Sequence, residues 1–140
     1  LAPFADVTSI EPEVRRGESR LDFRLDGPRG VSWVEVKSVT LVEDGLALFP
    51  DAPTLRGRRH LEELMSLAQK KARAAIVFVV QRPDAAALAP HRAADPAFAR
   101  ALVDAARAGV ETYAFRCAVT RQSLYLTSQL PVLLSDPETA

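Results

Sequence analysis

Two carboxylates and one amine stand at spacings that put them to chemical use: Asp22, Glu35 and Lys37. Glu35 and Lys37 are two residues apart in a β-branched run from Val31 to Val42, so in an extended strand they project from one face. Asp22 falls on the polar side of an alternation in which Leu21, Phe23 and Leu25 trade places with Arg20, Asp22 and Arg24. The turn signal Asp26-Gly27-Pro28-Arg29-Gly30 links the two runs into an antiparallel hairpin. With the turn centred near Pro28, Asp22 comes within about a residue of Glu35, directly opposed side chains being roughly 5 Å apart. Two carboxylates that close can share Mg²⁺ (or Mn²⁺) and still leave positions for water and a phosphate oxygen. Such an ion acts as a Lewis acid and lowers the pKa of an attacking water. A neighbouring lysine then orients that water or stabilises charge growing on phosphorus.

The surroundings bear on that reading in two directions. By parity Trp33, Val39 and Leu41 share the face of Glu35 and Lys37, and charges set among bulky apolar groups should be paired or bound to metal. The same three residues also fit an ordinary exposed strand face, with Asp22 paired across the strands to an arginine at about 0–1 kcal/mol.

The elements that must position these residues are legible in outline. His60 to Ala72 places Leu61, Leu64, Met65, Ala68 and Ala72 at helical spacing, after a Pro/Gly/Arg loop from Asp51 to Arg59. Ala75 to Val80 is a continuous apolar run, suited to a strand covered on both faces. A second helix has Asp95 as N-cap, Pro96 at its first position and Gly109 past its end, with Phe98, Ala101, Leu102 and Ala105 as its stripe. Val110 to Val119 and Leu124 to Thr127 read as further strands. The expected fold class is α/β, a mixed sheet flanked by helices. Leu1 to Gly17 reads as a linker or lead-in segment, and residues 18–140 as the domain proper.

Composition excludes several function classes. The 140 residues hold 18 Lys+Arg against 18 Asp+Glu, so a uniformly basic protein that coats nucleic acid is excluded, although a local basic face is not. One cysteine, Cys117, rules out an intramolecular disulfide framework and a Cys-rich zinc site. The longest apolar run, Ala74 to Val80, is strand-sized, so no membrane partner is expected. The chain opens on Leu-Ala-Pro without a signal-peptide pattern. The expectation is a soluble, cytoplasmic protein whose N-terminal part is missing.

Other residues divide between structural and chemical roles. Arg56, Arg58 and Arg59 gather before the first helix, where cations oppose the helix dipole unless an anion binds; phosphate contact is the expected role. Lys70 and Lys71 suit a helix C-terminus as such. His60 beside the arginines is a candidate supplementary base, though more simply a polar contact. His91, in an Ala/Pro-rich stretch, reads as structural, Cys117 as a buried small hydrophobe, and Trp33 as core with base stacking as the alternative.

The spacing Asp22-x₁₂-Glu35-x-Lys37 matches the PD-(D/E)XK nuclease pattern, weak as a bare pattern and stronger when it straddles a hairpin followed by a helix. Longer segments resemble the sugar fermentation stimulation protein (SfsA) family: Glu18-Ser-Arg-Leu-Asp-Phe23, Trp33-Val-Glu-Val-Lys-Ser-Val-Thr40, Phe49-Pro-Asp-Ala-Pro-Thr-Leu-Arg-Gly57 and His60-Leu-Glu-Glu-Leu64. The resemblance continues through Ala75-Ile-Val-Phe-Val-Val-Gln81 and Gly109-Val-Glu111 to Leu130-Pro-Val-Leu133, covering about Glu18 to Leu134. It implies a restriction-endonuclease-like domain that follows an OB-like β-domain absent from this chain. It further implies DNA binding without strong sequence preference and a link to sugar (maltose) metabolism in bacteria. Asp22 and Glu35 then match the metal-binding acids, Lys37 the catalytic lysine and Glu18 a supplementary acid. Asp51 lies in a family motif without an assigned role. Three readings follow: a Mg²⁺-dependent DNA nuclease, a DNA-binding regulator that keeps the fold without turnover, and an interaction module whose acids form a salt-bridged face.

Overall fold

The computed structural model describes residues 9–16, 19–28, 30–119 and 124–135. Glu18, expected to be a supplementary acid, and residues 1–8 of the expected lead-in lie outside them.

The expected hairpin forms. β2 (Ser19–Gly27) and β3 (Gly30–Val39) pair antiparallel, with Gly27 opposite Gly30 and Phe23 opposite Val34. On the far side β3 runs parallel to β6 (Arg73–Val80), which runs parallel to β8 (Glu111–Val119). β9 (Leu124–Leu130) closes that edge antiparallel to β8. At the other edge β1 (Ser9–Arg16) pairs antiparallel with β2, so residues 9–16 form a strand rather than a lead-in. Pro12 drew the sequence reading away from a strand, yet an edge strand tolerates proline because its outer N–H groups need no ladder partner. The six strands lie in the order β1-β2-β3-β6-β8-β9.

A small second sheet joins β4 (Val42–Glu43), β5 (Leu46–Phe49) and β7 (Ala87–Pro90) in the order β4-β5-β7. The run expected to continue to Val42 therefore ends at Val39, and Asp44 and Gly45, with φ of 49° and 79°, turn the chain into a second hairpin. Asp-Gly is the pair that accepts two consecutive positive φ values. β7 escaped the sequence reading because Ala-Leu-Ala-Pro carries no β-branched residue; its pairing with β5 is a tertiary effect.

α1 (Leu55–Gln69) begins five residues earlier than its apolar stripe suggests, so Arg56, Arg58 and Arg59 belong to a helix and not to a loop. The reason is the cap: the Thr54 hydroxyl accepts the Gly57 N–H at 2.9 Å. Gly57 is held there by crowding, since a Cβ would stand 2.8 Å from Thr54 Cγ2 and 3.2 Å from Phe98 Cε2. α2 (Pro96–Arg107) starts on the expected Asp95 cap, whose Oδ1 accepts from Phe98 N at 2.9 Å. Its other oxygen accepts from Thr54 N at 2.8 Å, so one carboxylate ties both helix starts together.

The helices cover one sheet face. Val39, Ile76, Phe78, Leu61, Leu64, Phe98 and Leu102 fill that side with almost no exposure. Truncating a buried phenylalanine such as Phe98 to alanine costs about 3–5 kcal/mol. The opposite face buries Leu25, Val34, Ala75, Val77 and Phe115. β6 supplies side chains to both faces, as its continuous apolar run requires. Trp33 is half-buried against the helix side with the Arg24 guanidinium 5.6 Å from its ring centre, so its outer face is occupied and it acts as core.

Candidate functional site

Alternation along β3 sends Trp33, Glu35, Lys37 and Val39 to the helix-covered face, where α1 passes over them. Glu35 is thereby buried to 1% exposure among the largest core side chains. Asp22 arrives from β2 where the β2–β3 pairing stops: beyond Phe23–Val34, the Val36 N–H donates to Asp22 Oδ2 at 2.8 Å. The carboxylate thus takes the place of a ladder acceptor and is fixed beside Glu35. His60, 4% exposed in the second turn of α1, completes the group.

Lys37 Nζ lies 2.9 Å from His60 Nδ1 and 3.6 Å from Glu35 Oε2. An ammonium only donates, so Nδ1 accepts and the imidazole carries its proton on Nε2. Glu35 Oε2 also touches His60 Nδ1, but this contact is not a well-formed hydrogen bond, and Oε2 is left a buried acceptor without a donor. Burial first, then the hydrogen bond shared with Asp22, push the Glu35 carboxyl up to about 8 against the opposing pull of Lys37. Burial, then the charges of Lys37 and Arg56, bring His60 down to about 4. Near neutral pH the pair is therefore a protonated carboxyl against a neutral imidazole.

The expected trio of Asp22, Glu35 and Lys37 does come together, and His60 joins it. Asp51 is exposed at the end of β5 and lines a cleft of about 40 Å³ with Ser38, Thr40 and Leu41, room for a water or two. Among the described residues no hydrogen bond or ion pair joins Asp51 to the trio. Of the arginines, Arg56 is near enough to act on His60, Arg58 acts on Asp95, and Arg59 is exposed. His91 is structural, as expected: its backbone N–H donates to Phe49 O and its Nδ1 to Pro50 O, both at about 2.9 Å or less. What the sequence reading did not foresee is that Asp95 anchors Thr54, and through it the first two turns of α1, which carry Arg56 and His60. The Asp-Pro pair marked the cap but carried no signal for a bond across 41 residues.

For a cation, the donors present are hard oxygens: Asp22 and the unsatisfied Oε2 of Glu35. Among the described residues no three His, Cys, Asp or Glu side chains form a ready cage. The donor chemistry, two carboxylates, fits a hard divalent ion completed by water.

The family described as "Sugar fermentation stimulation protein RE domain" matches residues 1–123. A sugar fermentation stimulation protein homolog of Geobacter sulfurreducens is 54% identical over 137 residues, 97% of this chain and 59% of its own length. That of Moorella thermoacetica is 52% identical over 135 residues, 96% of this chain and 58% of its own. Pyrococcus furiosus SfsA, solved in complex with Ca²⁺, superposes with a TM-score of 0.89 at 36% identity, covering 95% of this chain and 58% of that one. The chain thus spans somewhat under three fifths of these relatives. It belongs to the sugar fermentation stimulation protein (SfsA) family, whose C-terminal RE domain it carries.

Proposed function

We propose that this domain holds a divalent cation, Mg²⁺ or Mn²⁺, between Asp22 and Glu35 and hydrolyses phosphodiester bonds in DNA. One observation carries the reading: a fully buried carboxyl whose Oε2 has no donor, on the same sheet face as Asp22 and Lys37. A buried polar group is costly unless it is paired, and a cation supplies the missing partner. Two supports stand beside it. The relative solved with Ca²⁺ shares the fold and binds a hard cation of the same charge. The spacing Asp22-x₁₂-Glu35-x-Lys37, set on a hairpin beside parallel strands and helices, suits a restriction-endonuclease-like PD-(D/E)XK core.

When bound, the cation supplies Lewis acidity toward the phosphate and lowers the pKa of an attacking water. Asp22 and Glu35 hold it, with Glu18 as a further acid. Glu35 would hold the cation as a carboxylate, its proton passing to solvent. Lys37 orients the attacking water and meets charge growing on phosphorus. His60, as a neutral acceptor, keeps the Lys37 ammonium in place. Arg56 and Arg59, exposed at the start of α1, bind flanking phosphates, helped by the helix N-terminus.

A second reading is a sequence-nonspecific DNA-binding factor in sugar metabolism without turnover. The neutral state of Glu35 near pH 7 favours it, because a protonated carboxyl withholds charge from a cation. Incubating the full-length protein with single- and double-stranded DNA plus Mg²⁺ or Mn²⁺, beside Asp22→Ala and Lys37→Ala variants, separates the two. The nuclease reading expects cleavage to fall at least about a hundredfold in both variants. Equal cleavage by all three proteins sinks it, and binding without cleavage selects the regulator.

A further inference from the structure

A second charged feature lies on α2 and shares no residue with the Asp22–Glu35 group. Pro96, Ala99 and Val103 make the apolar floor of a cleft of about 330 Å³. Arg92, Arg100 and Arg107 stand around it with a single acid, Asp104. Arg100, Val103, Asp104 and Arg107 recur at i, i+3, i+4 and i+7, one face of the helix. Asp104 is at ion-pairing distance in sequence from both Arg100 and Arg107, yet is joined to neither. Arg100 and Arg107 have no hydrogen-bond or ion-pair partner among the described residues. Arg92 is held differently: its Nη2 donates to Leu134 O at 2.6 Å, which fixes the guanidinium at the cleft, and its other donors have no partner among the described residues.

The helix dipole explains a cation in the last turn, where Arg107 sits, but neither Arg100 in mid-helix nor Arg92 before its start. Three guanidiniums against one carboxylate favour an anion, and their planar donor forks suit phosphate oxygens. The apolar floor asks for a flat or aliphatic body beside that charge. Asp104 can only accept, so it asks for a hydroxyl or amine donor. Arg100 and Arg107 are about 10 Å apart along the axis, and the cleft is the size of ordinary small-ligand sites, roughly 300–1,000 Å³.

We propose that this cleft binds a nucleotide unit, its phosphate on the arginines, its ring over Ala99 and Val103 and a sugar or base donor on Asp104. The unit is either a free nucleotide or one link of a nucleic-acid strand; the chemistry is the same, and the test tells the sources apart. The inference does not depend on cleavage.

The full-length protein is titrated calorimetrically with AMP, adenosine, inorganic phosphate and a short oligothymidylate, beside an Arg100→Ala/Arg107→Ala variant. Both side chains are exposed, so the variant keeps its fold, which its melting temperature checks. A free-nucleotide site binds AMP at least about tenfold more tightly than adenosine or phosphate, and the variant loses about tenfold or more. A strand site leaves AMP silent and binds the oligothymidylate, with the variant weakening it and flattening the salt dependence of log K by about 1.4. Binding that the variant leaves unchanged, or no binding of either AMP or the oligothymidylate at millimolar concentration, overturns the proposal.

Discussion

Two charged clusters of the main sheet are built on opposite terms. At the starting edge of the parallel strands, the first residues of β6 and β8 meet as a fork: Arg73 Nε to Glu111 Oε2 at 2.7 Å and Nη2 to Oε1 at 2.9 Å. Tyr113 donates to the same carboxylate. Both side chains are about one third exposed, and the hydrogen bond from Arg73 holds the Glu111 carboxyl below its ordinary value. Further along β3, in the Glu35–Lys37–His60 group, burial leads instead, and it moves the acid up and the imidazole down. The first cluster has every charge answered and ready access to water. The second buries an acid one of whose oxygens, Oε2, accepts no hydrogen bond, at a cost in folding free energy.

Substitution can break or sharpen this contrast. The largest expected effect is Glu35→Ala, which should weaken Mn²⁺ binding, read by calorimetry, by more than the roughly 10–100-fold that loss of a supporting residue costs. Retained affinity would reduce the two clusters to one kind.

Next in size is a pH effect. Glu35 rises from 4.5 to about 8 on folding, so its contribution to stability declines as pH climbs across that interval and levels off above it. His60 falls from 6.5 to about 4, so its contribution declines as pH drops through that range. The two oppose each other between the lower Glu35 value and the upper His60 value, and only Glu35 acts from about 6.5 to 8. Without divalent ion, stability in urea should therefore fall over that upper interval, by at most about 2 kcal/mol. Glu35→Gln should flatten the slope and be the more stable protein at pH 8; a slope that survives the substitution belongs to another group.

His60→Ala is expected to lower turnover by about tenfold while leaving Mn²⁺ affinity nearly unchanged, because its hydrogen bond goes to Lys37 and it supplies no oxygen to the cation. His60→Asn should restore part of the loss through its acceptor oxygen. A matching fall in affinity would make His60 a ligand. The smallest effect belongs to the other cluster: Arg73→Ala should cost about 1 kcal/mol or less in urea melts, with cation binding and turnover untouched.

The sequence disclosed the hairpin, the trio on it and the α2 cap because each depends on local pattern: alternation, a turn signal, an Asp-Pro start. It misplaced the start of α1 because Thr54 caps a first turn without apolar periodicity, Arg56 to Arg59 being polar or glycine throughout. β1 was hidden by Pro12 and β7 by its lack of β-branched residues, since both are strands by virtue of their neighbours. His60 was visible beside the arginines as a candidate supplementary base, but its contact with Lys37 needs the approach of α1 to β3, which no local signal encodes.

Asp95 gives the molecule a hinge pin in the mechanical sense. Burial works against its charge, yet hydrogen bonds from Thr54, Phe98 and Ala97 and the charge of Arg58 outweigh it and keep the carboxyl below its ordinary range. The pin therefore stays ionised into mild acid, after free carboxylates have begun to protonate. The amides of Thr54 and Phe98, 44 residues apart in sequence, hang on its two oxygens and should exchange with solvent as one unit. A loosening of α2 at that point would then reach the start of α1, with Arg56 and His60, without crossing the sheet.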